Sequence, residues 1–135
     1  MAFYTSYADH MWRSYIRNRG TPLTDLSAPC RANIAACETV FNRVPEAWKS
    51  IATVYYSAAP TVGTERLQQF CRSNRRPYYS AWSAIHNLQA SVALERGLID
   101  RDHLPSGWSE QETEPGATPP DRPDPLQQNI CQSGR

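Results

Sequence analysis

The stretch from Thr64 to Gly97, TERLQQFCRSNRRPYYSAWSAIHNLQASVALERG, reads as a short helix, a tight basic turn and a longer helix. In the first part Thr64 is the expected N-cap, Glu65 sits in the first turn, and Leu67, Phe70 and Cys71 recur at helical spacing. Asn74 tolerates a turn, and Pro77 suits the first position of the next helix, expected from Pro77 to Arg96. On a wheel of about 100° per residue, Tyr78, Ala81, Ile85, Leu88 and Val92 fall within about 60° of one direction, with Trp82 at the edge. The opposite face collects Arg76, Tyr79, Ser80, Ser83, His86 and Asn87 without one carboxylate. Gly97 closes the helix, and Leu98 and Ile99 can fold back over its last turn as in a Schellman cap.

Working outward, the preceding chain is also helical, since no window sustains the period-2 alternation of a strand. A first helix is expected over about Tyr7 to Asn18, with Met11, Trp12, Tyr15 and Ile16 inward and Gly20 as its stop. A second starts at Ser27 as N-cap with Pro29 in its first turn, and turns Cys30, Ile34, Cys37, Phe41 and Val44 inward. Pro45 ends it, because a residue before proline is pushed out of the α region. A third begins at Pro45-Glu46 and buries Ala47, Ile51, Val54 and Tyr55 with Trp48 alongside. The segment Ser57 to Gly63, which holds Pro60, is expected to be its exit loop. The fold class is therefore all-α: a five-helix body over residues 1–104 containing a helix-turn-helix at about 64–96.

The remaining residues, 105–135, hold six of the eleven prolines and few branched aliphatics. Such a segment cannot bury enough apolar surface to offset its ordering entropy, so a disordered, Pro-rich acidic tail is expected. Trp108, Ile130 and Cys131 are its only candidates for docking. The chain carries 14 basic and 13 acidic residues, but residues 1–104 hold 12 and 8, net +4, while the tail holds 2 and 5, net −3. Thirteen of the cations are arginines, so a polyanion meeting this body meets planar guanidinium forks.

Several classes are disfavoured. No apolar run approaches the roughly 20 residues needed to span a bilayer, and the first residues lack the pattern of a secretory signal, so a cytoplasmic protein without membrane association is expected. The four cysteines form no C-x-x-C pair and the three histidines are far apart, so no metal and no cofactor are expected. No nucleophile motif and no glycine-rich phosphate loop is present, which argues against an enzyme.

The outward face of the long helix fits a DNA major groove, where Arg and Asn make bidentate contacts to base edges. Arg75, Arg76, Tyr79, Ser80, Ser83 and Asn87 are the expected DNA-facing residues, with Arg72 and Arg66 as auxiliary phosphate contacts. Double-stranded DNA is thus the expected partner, and a small module of this kind calls for a second copy or a partner protein to gain affinity.

The run Val44-Pro45-Glu46-Ala47-Trp48 through Val54-Tyr55-Tyr56, then Glu65 to Phe70, then Tyr79 to Ile85 and Leu88, resembles region four of sigma-70-type factors. The whole body, from Ala8-Asp9 and Tyr15 to Arg96-Gly97-Leu98-Ile99, is also similar to short proteins encoded on phages and mobile elements, especially of Firmicutes. The resemblance implies a DNA-binding transcriptional regulator of a phage or mobile genetic element, with the first three helices free to contact RNA polymerase. Two departures from the region-four pattern are the long segment Ser57 to Gly63 and Pro77-Tyr78 at the head of the recognition helix. The rival readings are a helical protein-interaction module that never touches DNA, and a packaging or conjugation accessory protein.

Overall fold

The longest helix, α5 (Tyr78–Arg96), runs through the middle of the molecule, and the four helices before it pack around it. These are α1 (Thr5–Arg17), α2 (Ala28–Arg43), α3 (Glu46–Ser57) and α4 (Pro60–Ser73), and a short 3-10 turn follows at Arg101–His103. The computed structural model describes residues 3–20 and 26–112, and among these there is no strand. The all-α, five-helix expectation holds.

Several helix ends follow directly from local chemistry. The Ser27 side chain accepts the backbone N–H of Cys30, satisfying one of the donors that the start of α2 leaves without a partner, and Pro29 occupies the first turn. Val44 ends α2 in extended conformation before Pro45. Gly97 adopts φ +85°, and the N–H of Leu98 reaches back to the carbonyl of Ala93 at 2.9 Å, the closing bond of a Schellman motif. Ile99 is buried beyond that cap.

Other expectations are corrected. The segment Ser57 to Gly63 is not a loop: α3 and α4 are joined by Ala58 and Ala59 alone, and α4 begins at Pro60. Ala59 is the extended N-cap, Pro60 contributes its fixed φ to the first turn, and Thr64 lies inside the helix. Gly63 is there for space, since a Cβ at that position would lie 3.1 Å from both the ring and the carbonyl oxygen of Tyr55. Its bare backbone lets α4 press against α3.

The buried side of α3 is also rotated from expectation. Trp48, Ile51, Ala52 and Tyr56 are buried, whereas Ala47, Val54 and Tyr55 are only half-buried, because α3 contacts α1 and α4 on different sides as well as α5. Cys30 is exposed in the first turn of α2, ahead of the point where that helix meets the body, while Cys37 and Cys71 are buried. Burial pushes the Cys37 thiol up to about 12, so it behaves as a small apolar side chain.

The core joins all five helices. Met11, Trp12, Tyr15 and Ile16 of α1 meet Val40 and Phe41 of α2, Ile51 and Tyr56 of α3, Leu67 of α4, and Ile85, Leu88 and Val92 of α5. Trp12 is fully buried, stacks on Tyr56, and donates its indole N–H to the carbonyl of Leu88 at 3.0 Å. Next to it lies a polar knot: Asp9 accepts from the Tyr56 hydroxyl at 2.5 Å and from the Gln89 amide at 2.7 Å, with the Arg13 guanidinium over the Tyr56 ring. Burial, then the adjacent Asp9 charge, pushes the Tyr56 hydroxyl well above its usual range, which keeps it protonated as the donor.

The boundary expected near residue 105 also moves. Residues 104–112 form an irregular strap whose side chains contact α2, α3 and α5, so the body continues at least to Glu112. The rest of the expected tail, 113–135, with the docking candidates Ile130 and Cys131, lies outside the described residues.

Two substitutions test this packing. Trp12→Phe removes the bond to Leu88 and leaves that part of the core underfilled, and should lower the unfolding free energy by about 2 kcal/mol, seen as a lower urea midpoint at unchanged slope. Gly63→Ala should lower the melting temperature although alanine is the better helix former by about 1 kcal/mol, because the backbone of Tyr55 blocks the added methyl.

Candidate nucleic-acid interface

The turn between α4 and α5 spans residues 74–77. Asn74 caps α4, with both its backbone N–H and its side-chain amide donating to the carbonyl of Phe70. The N–H of Arg76 then reaches back to the carbonyl of Cys71 at 2.9 Å, and the residue between them, Arg75, takes φ +53°. This is the helix-ending geometry that Gly97 adopts at the other end of α5. Here the left-handed position falls on an arginine, and it is the only non-glycine residue with positive φ among the described residues. A side chain in that conformation costs of order 1 kcal/mol relative to glycine.

The expected DNA-facing residues divide into two groups, with Arg66 apart from both. Arg72, Arg75, Tyr79 and Ser83 are exposed around the turn and the first two turns of α5, and the exposed His86 continues the row from Tyr79 and Ser83 at helical spacing. Tyr79 is 53% exposed, a large aromatic surface for a helix so deeply embedded elsewhere. Among the described residues no carboxylate is paired with Arg66, Arg72 or Arg75. Arg66 stands apart, about 9 Å along α4 from Arg72 and about 120° round the helix, so the fold does not bring it to the turn.

Arg76, Ser80 and Asn87 form the second group and are half-buried. The Arg76 side chain is only 17% exposed. Its guanidinium donates to the Ser80 hydroxyl at 2.6 Å and to both carboxylate oxygens of Glu112 at 2.8 and 3.1 Å. Arg76 and Ser80 are therefore engaged within the molecule and do not stand free on the outward face. The third correction concerns that face itself. Over Leu88 to Ala93 every residue of α5 is buried, so the polar surface of its leading half ends at Asn87 and resumes only at the last turn, with Glu95.

The strap closes the other side. Trp108, one of the three candidates for docking in a segment expected to be disordered, donates its indole N–H to the Ser91 hydroxyl at 2.9 Å. Glu110 takes Nε and Nη2 of Arg43 in a bidentate pair at 2.8 and 2.9 Å, and Arg43 also reaches Glu95 at 3.0 Å. Glu112 accepts from the Trp48 indole at 3.3 Å in addition to Arg76. The roles of Arg43, Glu110 and Glu112 went unread in the sequence. The signal that could have found them is the period-2 pattern Trp108, Glu110, Glu112, which in extended chain puts an aromatic ring and two carboxylates on one side.

Burial pushes the Glu110 and Glu112 carboxyls up, but the hydrogen bonds outweigh it. Arg43 and Ser91 hold Glu110, and Arg76 and Trp48 hold Glu112, below the usual carboxylate range. The partner guanidiniums are raised in turn, chiefly by hydrogen bonds to these two glutamates. Comparison of the chain with models of protein families, with curated proteins and with solved structures finds no match.

A carboxylate with a lowered folded pKa contributes stability above its unfolded value, about 4.3 for glutamate, and loses it as pH falls through the folded value. The strap should accordingly stay docked at neutral pH and release only as pH falls below the usual carboxylate range, followed through the indole N–H resonance of Trp108. In the double variant Glu110→Gln with Glu112→Gln, that pH dependence should flatten.

Proposed function

We propose that this chain is a DNA-binding regulator of transcription whose α4–turn–α5 unit reads duplex DNA in the manner of a sigma region-four helix-turn-helix, within a phage or mobile element. The observation that carries the reading is Arg75. A turn that glycine would make more cheaply holds an exposed arginine in left-handed conformation, and Arg72 stands exposed one helical turn before it. Strain kept at a surface turn by a charged side chain is a mark of function, because folding alone favours its removal. On this reading the two guanidiniums hold the phosphates that flank a helix entering the major groove, and Tyr79, Ser83 and Asn87 follow on the leading half of α5.

The burial of the later part of α5 accords with this pose. A recognition helix approaches base edges with its N-terminal residues, and here it is Leu88 to Ala93, beyond those residues, that lies in the core. The sequence expectation that Arg76 and Ser80 touch DNA directly is retained only for a form in which Glu112 has let go. With Arg72 and Arg75 on phosphates, their share of the log-log salt slope is about −1.8, from roughly −0.9 per contact.

Mobility-shift titration on random duplex at several salt concentrations tests the reading. The full chain should bind at low salt, and Arg72→Ala with Arg75→Ala should weaken binding and make the slope shallower by about 1.8. Absence of binding at low salt, or a slope indifferent to both changes, overturns it. Arg75→Gly separates function from folding: the melting temperature should rise, by the equivalent of up to about 1 kcal/mol, while duplex binding weakens.

A further inference from the structure

Glu112 occupies the edge of the Arg76 guanidinium that a phosphate would need. Both of its oxygens are engaged there, at 2.8 and 3.1 Å, and the same guanidinium ties down the Ser80 hydroxyl. The segment that delivers Glu112 is anchored at two earlier points, by Trp108 on Ser91 and by Glu110 on Arg43. Three contacts at alternate residues make the strap one unit along the flank of α5. Leu104 and Trp108 pack on the core, whereas the carboxylate end is held by polar contacts alone and neither ion pair is fully buried. Such a clasp is firm enough to populate and weak enough to be displaced by a polyanion.

We propose that the strap is an intramolecular competitor for the nucleic-acid site, in which Glu112 stands in for a phosphate on Arg76 and must leave before Arg76 and Ser80 can join the interface. This rests on the DNA-binding reading and adds its regulation. Contact through Arg72 and Arg75 alone leaves the strap in place. A duplex that also draws on Arg76 must displace Glu112, so the closed state discriminates against loose, two-phosphate encounters. Displacement uncovers Ser80 beside Tyr79 and Ser83, and so enlarges the reading face of α5 only when the strap is open.

The test uses the full chain and random duplex at one low salt concentration. Glu112→Gln should tighten binding by about three- to tenfold, the scale of losing one bidentate, part-exposed ion pair. Glu38→Gln, which removes an equal charge from the exposed surface of α2, should change it far less. In an Arg76→Ala background Glu112→Gln should give no gain beyond that control. Without nucleic acid, the Trp108 indole resonance should move in Glu112→Gln, reporting the loosened strap. If Glu112→Gln matches Glu38→Gln or weakens binding, while Arg72→Ala with Arg75→Ala still weakens it, the competitor role is overturned and the DNA reading stands. If neither the unaltered chain nor Glu112→Gln binds duplex, the DNA reading falls and the proposal falls with it.

Discussion

The constraint on which this structure depends is that α5 is enclosed on every side from Leu88 to Ala93. Over this stretch the helix has no solvent face, yet it carries Gln89 and Ser91 among its buried residues. Buried polar groups are costly unless bonded, so the surrounding elements must supply partners as well as apolar area. Asp9 of α1 takes the Gln89 amide, Trp108 of the strap supplies the Ser91 hydroxyl with a donor, and Trp12 caps the Leu88 carbonyl. The placement of α1 and of the strap is thereby fixed by hydrogen bonds to one helix, with the hydrophobic contacts filling in around them.

That enclosure explains which parts of the fold the sequence displays openly. Helix ends are local events, and Ser27 with Pro29, Val44 with Pro45, and Gly97 each act within one turn of themselves. The start of α4 is a tertiary event. Pro60 and Gly63 look like breakers in isolation, but one serves as a first-turn proline and the other clears space for Tyr55 of the neighbouring helix. Likewise Tyr56 is buried through its bond to Asp9, 47 residues away, which no periodicity within α3 discloses. The basic turn itself was legible, because clustered arginines around Asn74 and Pro77 need no partner to be seen. The engagement of Arg76 was not, since its partner comes from a segment whose composition spoke for disorder.

The electrostatic picture changes accordingly. Net charges of body and tail suggested two separate regions of opposite sign. The structure distributes that opposition over particular pairs, Arg43 with Glu110 and Arg76 with Glu112, and adds Glu95 of the body itself on Arg43. What stays unpaired among the described arginines near the turn is Arg72 and Arg75, so the effective positive surface is narrower than a charge count implies. Its position is set by the Schellman-type end of α4, which places Arg75 at the left-handed residue of the turn.

The strap also bears on the order in which the molecule is made. All five helices have been synthesised once Arg96 and Gly97 have been added, but the side of α5 around Ser91 still lacks its cover, and Arg43 and Arg76 lack their strap carboxylates. Fifteen further residues must be added before Glu112 is in place. A chain that stops at Gly97 holds all five helices with the flank of α5 uncovered, and residues 104–112 are the segment that closes it.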